Sequence, residues 1–363
     1  MIKIGVLTFH RAVNYGAVLQ SYALVKALCE LGYNAELIDY RNEKIEKSYY
    51  SRIVINKNLK HMIYNFIMFP TQQKRNIAFQ KVIKNKFQIG KIQYTRSNLE
   101  NLENEYDFII VGSDQVWNLP CTNGDKTYFL DFVKDHKKKI SYAASLGKTD
   151  GMESNYKEYL DLINQFNKIS VREQKGKSFL NTYVKKQIEV NVDPVFLLTK
   201  DEWNKFEDTP SFKDYILVYS VNLPASVLEY ARNQAQKRKK KLVIVTLRNK
   251  KIDMWDDEIN YSCCSPTEFV GLINHADLVV TNSFHGTAMS IIMRRNFVVV
   301  RNSEAKIGMD NSRLDNILHA VNLDERFSDI VDVDESIDYS IVDNNIANLR
   351  KEGLCYLEEL QGI

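Results

Sequence analysis

Asp277 to Met293 reads DLVVTNSFHGTAMSIIM: four apolar or β-branched residues, a polar turn over Asn282 and Ser283, then an apolar-spaced segment opened by Phe284, His285 and Gly286. A short buried run bounded by turn residues and followed by helical periodicity reads as a parallel strand feeding a crossover helix. The pattern recurs in both directions along the chain. Upstream, strands are expected at Lys3 to Thr8, Ala35 to Asp39, Phe108 to Val111, Ile140 to Ala144, Lys168 to Val171 and Ile188 to Val192, and again at Ile216 to Val221 and Lys241 to Thr246. Downstream, Asn296 to Val300 gives one more.

Strands alternating with helices make the class α/β, and the interruption at VDPVFLL, where Pro194 turns the chain before a new series starts at Ile216, divides it. The expected architecture is two Rossmann-like, doubly wound domains facing each other across a cleft. The first spans residues 1–195 and carries a helical insertion at about 53–88, read as two helices forming a lid or flank. The second spans 196–341, and a last helix over 342–363 is expected to pack back on the first domain. Its 363 residues suffice for two such cores.

Composition excludes several function classes. Apolar residues make up 44% and charged residues 26%, and the net charge of +3 is too small for a broad nucleic-acid-binding face. Five cysteines, an odd number with no CxxC pair, imply neither a disulfide framework nor a zinc site and fit a reducing cytoplasm. The start, MIKIGVLTF, enters a strand at once and lacks the features of a secretory signal, and no apolar run approaches the roughly 20 residues of a membrane helix. GxSxG, HExxH, Walker A and carboxylate-rich metal patterns are absent, so no metal or organic cofactor is expected.

Candidate chemistry gathers at the ends of the expected strands, where open α/β sheets bind ligands. His285 opens a helix beside Gly286 and Thr287, where backbone amides attract an anion and an imidazole can move a proton; a helix-capping role is the alternative. The turn TFHRAVNYG, Thr8 to Gly16, lacks GxGxxG, which disfavours a dinucleotide; Asn14, Tyr15 and Gly16 would contact sugar hydroxyls or a carboxylate, and His10 and Asn14 are the site candidates, with an ordinary loop whose glycine starts a helix as the alternative. In FIIVGSDQVWN, Asp114 is placed to orient or deprotonate a hydroxyl and Trp117 to supply a stacking platform for a sugar, with a turn and a helix cap as the competing account. In SVREQKG, Arg172 follows a strand and suits bidentate binding of a carboxylate or phosphate, unless it is spent on Glu173 or another interface acid.

Taken in order, HRAVNYGAVLQSYAL, DFIIVGSDQVWN, SYAASLG, SVREQKG, VDPVFLL and NSFHGTAMS resemble the polysaccharide pyruvyl transferase family from His10 to about Ser290. The resemblance implies a GT-B-like pair of domains. It also implies transfer of a pyruvyl group from phosphoenolpyruvate, as donor substrate, to a sugar or oligosaccharide acceptor, free or lipid-linked, of a surface polysaccharide, usually as a ketal. The family histidine falls on His285 and the arginine of its S-V-R motif on Arg172. Many members carry an arginine two residues before that histidine; this chain has Ser283 there and Phe284 in place of leucine. Arg301, Lys306 or Arg313 would then supply the second cation, with Arg313 favoured because it opens a helix in DNSRLDNIL. The rival readings are a GT-B-type glycosyltransferase using a nucleotide sugar, and a non-catalytic sugar-binding homologue.

Overall fold

The runs of Val and Ile form two parallel sheets, each with the same reversal of strand order. The computed structural model describes residues 1–43, 46, 59–147, 156–247, 252–301, 312–328 and 336–362. The first sheet holds β1 (Lys3–Leu7), β2 (Asn34–Tyr40), β3 (Ile89–Tyr94), β4 (Phe108–Val111) and β5 (Lys139–Ser141) in the order β3-β2-β1-β4-β5. Single bridges from Ile140 to Lys168 and from Ala144 to Val171 extend it toward the parallel pair β6 (Ile169–Val171) and β7 (Ile188–Val190). The second sheet holds β8 (Tyr215–Ser220), β9 (Lys241–Thr246), β10 (Glu258–Asn260), β11 (Leu278–Thr281) and β12 (Phe297–Val299) in the order β10-β9-β8-β11-β12. Every pairing is parallel. The chain is thus α/β with two doubly wound, Rossmann-like sheets, in the GT-B-like manner.

Two strands escape the sequence reading. β3 and β10 are edge strands, with one buried residue of six in β3 and none of three in β10, and neither carries the apolar run that marks a buried parallel strand. The insertion also differs. The described part is one helix, Leu59–Lys86, that continues through Pro70, while residues 53–58 lie outside the described residues. Its second half is core rather than lid: Phe79 and Ile83 are fully buried, and the polar Gln72, Arg75 and Asn76 are buried as well.

The largest apolar cluster ignores the division between the sheets. It joins Val18 and Leu19 of the first helix (Tyr15–Glu30) and Phe79 of the long helix to Leu217, Val243 and Ile291 of the second sheet and its helices. The last helix, Tyr339–Glu358, lies against the first sheet. The Tyr356 hydroxyl donates to the Ser141 carbonyl at 2.9 Å, the Tyr33 hydroxyl to the Leu357 carbonyl at 2.8 Å, and Gly353 leaves room for Tyr142 and Leu197. Among the described residues no helix is long and apolar enough to cross a membrane.

Candidate active site

Strand order reverses between β1 and β4 in the first sheet and between β8 and β11 in the second, and chain leaving these strands forms the site. At the first reversal, Thr8 Oγ1 donates to the Ser113 carbonyl at 3.2 Å, while the Ser113 amide donates to Gln20 Oε1 at 3.0 Å. At the second, Ser283 caps the helix Phe284–Ile292, its hydroxyl accepting from the Gly286 amide at 3.5 Å.

Asp193 stands where the two reversals meet. One carboxylate oxygen accepts from the Val195 amide at 3.2 Å, capping the short turn Pro194–Leu197. The other accepts from Arg172 Nη1 at 2.8 Å and from the Ser113 hydroxyl at 3.5 Å, and lies 3.5 Å from His285 Nε2. The carboxyl is fully buried. Burial, the strongest single influence, works to raise its pKa, but His285 and Arg172 outweigh it and hold the group ionised well below the usual carboxylate range. Arg172 shows the converse: burial disfavours its charge, and Glu173 and Asp193 restore it with a margin.

The arginine is only partly spent on these acids. Its Nε donates to Glu173 Oε1 at 3.2 Å, an oxygen that also accepts from the Ser145 hydroxyl at 2.6 Å. Arg172 Nη2, Glu173 Oε2 and His285 Nε2 are all buried and have no hydrogen-bond partner among the described residues; the His285 to Asp193 approach has ion-pair distance without hydrogen-bond alignment. Buried polar atoms are normally satisfied, so three unpartnered ones on side chains joined through Arg172 and Asp193 mark a place for a polar ligand or water. Beside it opens a cavity of about 260 Å³ walled by Arg172, Asn191, Phe284, Arg313, Asn316 and Leu349 among others. Phe284 supports the guanidinium, whose carbon lies 4.9 Å from the ring centroid.

The other candidates divide. Arg313 stands on the cavity wall with Arg172. Asp114, with a left-handed φ of 64°, accepts from its neighbour's amide at Gln115, and its charge supports that of Arg172. Ser283 and Asn14 act as helix caps, the Asn14 side chain accepting from the Gly16 and Ala17 amides. Gly286 answers packing: a Cβ there would meet Thr281 Oγ1 at 2.5 Å and Tyr219 at 2.9 Å. Thr287 is fully buried, and its hydroxyl too has no hydrogen-bond partner among the described residues.

Two expectations are corrected. Trp117 is fully buried, its indole N–H donating to the Tyr128 carbonyl at 3.0 Å and its ring packed on Phe129 and Phe166, so it has no free face for a sugar. His10 is 1% exposed and faces Asp39 at 3.5 Å, which Arg11 grips through two nitrogens at 3.0 and 2.9 Å; it lines a separate pocket of about 20 Å³. Asp193, Glu173 and Ser113 are the site residues the sequence reading did not assign. The available signal for Asp193 was an acid directly before Pro194 just beyond a strand, which reads equally as an ordinary turn.

The sequence profile of the polysaccharide pyruvyl transferase family matches residues 14–304. No curated protein matches the chain. Among solved structures, S. aureus MnaA with UDP is similar at 13% identity and a TM-score of 0.48, over 99% of this chain and 90% of that one. The Methanocaldococcus jannaschii UDP-GlcNAc 2-epimerase with UDP-GlcNAc and UDP is similar at 12% identity and a TM-score of 0.44, over 83% of each chain. The glycosyltransferase SnogD from Streptomyces nogalater is similar at 7% identity and a TM-score of 0.41, over 97% of this chain and 95% of that one. Scores this low add nothing to the fold, which rests on the strand orders above. With a profile match that takes in β2 to β12, the chain belongs to the polysaccharide pyruvyl transferase family.

Proposed function

We propose that the chain moves the pyruvyl group of phosphoenolpyruvate onto two hydroxyls of a sugar in a surface polysaccharide or its precursor, in the reducing cytoplasm. The observation that carries this reading is the buried, unpartnered nitrogen of Arg172 beside the cavity, with the unpartnered Nε2 of His285 facing the same carboxylate. Arg172 Nη2 would bind the donor carboxylate, Arg313 on the same cavity wall would take the place of the missing family arginine for the phosphate, and His285 would act as general acid. Five cysteines, all unpaired, support the compartment.

In balanced form, a proton from His285 reaches the methylene carbon of the donor, and the first sugar hydroxyl adds to the resulting oxocarbenium-like carbon. The second hydroxyl displaces inorganic phosphate at that carbon. Of the two hydroxyl protons, one leaves with the phosphate and one restores His285. Asp114, close enough to Arg172 for its charge to be felt there, would assist in taking a proton from the entering hydroxyl. No cofactor or metal enters this scheme.

The test is phosphate release from phosphoenolpyruvate with a panel of sugar and lipid-linked acceptors. His285→Ala is expected to lower turnover by ~10²- to 10⁴-fold, the usual worth of a positioned proton donor. Turnover retained within about threefold would contradict the assignment, because that loss is far smaller than proton transfer supplies.

A further inference from the structure

His285 comes from the second sheet, but the surface it rests on belongs to the first helix, and that surface is a glycine. A Cβ built on Gly16 would lie 2.0 Å from His285 Nδ1, 2.4 Å from Cγ and 2.5 Å from Cε1. All three are ring atoms, so the imidazole lies directly over the Gly16 backbone. The ring is confined on its other sides as well: Nε2 is 3.5 Å from Asp193, and Phe284 meets it edge-on with centroids 5.1 Å apart.

Gly16 in turn has little freedom to retreat. Its amide is held by Asn14 Oδ1 at 2.9 Å. Tyr15, the residue before it, is anchored across the sheets: its hydroxyl donates to the Cys264 carbonyl at 2.9 Å and its ring stacks on Phe269 with centroids 4.2 Å apart. The first turn of this helix is therefore capped by Asn14 and anchored through Tyr15 to the second half of the chain.

From this geometry we infer that Gly16 is a positioning residue: its bare backbone is the seat that holds the His285 ring, across the boundary between the two halves, beside the Asp193 carboxylate that Arg172 also grips. The inference deepens the proposed role of His285 and rests on it for its catalytic consequence, though the contact itself does not. A methyl group at position 16 has to displace the ring, and a misplacement near 1 Å of a reacting group costs about 10²-fold in rate. Substrate contacts made by Arg172 are left in place, so the loss belongs in kcat and not in KM.

The experiment is a cycle of Gly16→Ala, His285→Ala and the double variant, followed by thermal melting and by phosphate release. Gly16→Ala is expected to lower Tm in the wild-type background and to change it little where His285 is already alanine. In activity, Gly16→Ala alone lowers kcat about 10²-fold with the KM for phosphoenolpyruvate within about threefold, and adds nothing to His285→Ala. Should Gly16→Ala alone fail to fold, recovery of a folded protein in the double variant supports the contact, and failure of the double variant overturns it. Equal Tm losses in both backgrounds also overturn it. The melting arm needs no turnover, so an enzyme inactive on phosphoenolpyruvate would refute the proposed reaction while leaving the seat testable.

Discussion

Asp193 carries more of the site than any residue assigned from sequence. It is fully buried, ionised, and shared by an arginine and serine of the first half and a histidine of the second. Removing its charge leaves Arg172 buried with Glu173 as its remaining acidic partner. Breaking one side of a buried pair costs about 3–5 kcal/mol, so Asp193→Asn is expected to lose stability on that order in denaturant melts. A loss under about 1 kcal/mol would mean that Arg172 is already neutralised by Glu173 and that Asp193 does not link the halves. His285 and Arg172 were legible because each follows a short apolar run, where strand ends present polar side chains to ligands. Asp193 was not, since an acid before proline in a loop satisfies local turn chemistry as readily as a site. Trp117 was misread for a related reason: an indole beyond a strand end fits a sugar platform and a core equally well, and only tertiary packing against Phe129 and Phe166 decides.

The ends of β1 and β2 hold a second polar cluster that bears on stability and not on the proposed chemistry. Burial pushes the His10 imidazole below its ordinary pKa; at Asp39 burial pulls upward, but His10 and Arg11 prevail and bring the carboxyl down to about 2. Both groups bind protons more readily in the unfolded chain than in the folded one. Stability is therefore full above the ordinary histidine range, begins to fall as pH drops below about 6.5, and falls further below about 4 as the unfolded Asp39 takes up its proton. Urea melts from about pH 8 to about pH 4 are expected to show the first descent in the wild type and its reduction in His10→Gln. An unchanged slope in that variant would contradict the buried, neutral imidazole. The same elements show what periodicity reveals and what it hides. Central strands buried on both faces announce themselves as runs of Val and Ile, whereas the exposed edges β3 and β10 carry no such run. The long helix hides its burial because Gln72, Arg75 and Asn76 read as surface residues until the fold covers them, Arg75 meeting the Thr246 and Ser262 carbonyls.

The two sheets are separate ladders, yet they share one apolar cluster through the first helix and the second half of the long helix. The last helix adds a tie: Arg350 donates to the Phe196 and Leu198 carbonyls at 2.9 and 3.0 Å, in the segment between the sheets. Neither half can unfold without exposing the core of the other, so calorimetry is expected to give one transition with matching calorimetric and van't Hoff enthalpies. Two resolved transitions would mean that the halves are independent and that the His285 site is only loosely assembled. A single rigid unit also explains how a proton donor from one sheet and an anion-binding arginine from the other keep a common register around Asp193.

The most direct test is calorimetric titration of phosphoenolpyruvate into the wild type and Arg172→Lys, with uridine diphosphate as the comparison ligand. Lysine keeps a charge for Asp193 but removes the buried guanidinium nitrogen that has no partner among the described residues. The expected result is saturable binding of phosphoenolpyruvate by the wild type, weakened at least about tenfold in Arg172→Lys because a point charge lacks the guanidinium fork, with no binding of uridine diphosphate. Saturable binding of uridine diphosphate without phosphoenolpyruvate would contradict the pyruvyl-transfer reading and favour a nucleotide-sugar enzyme in its place.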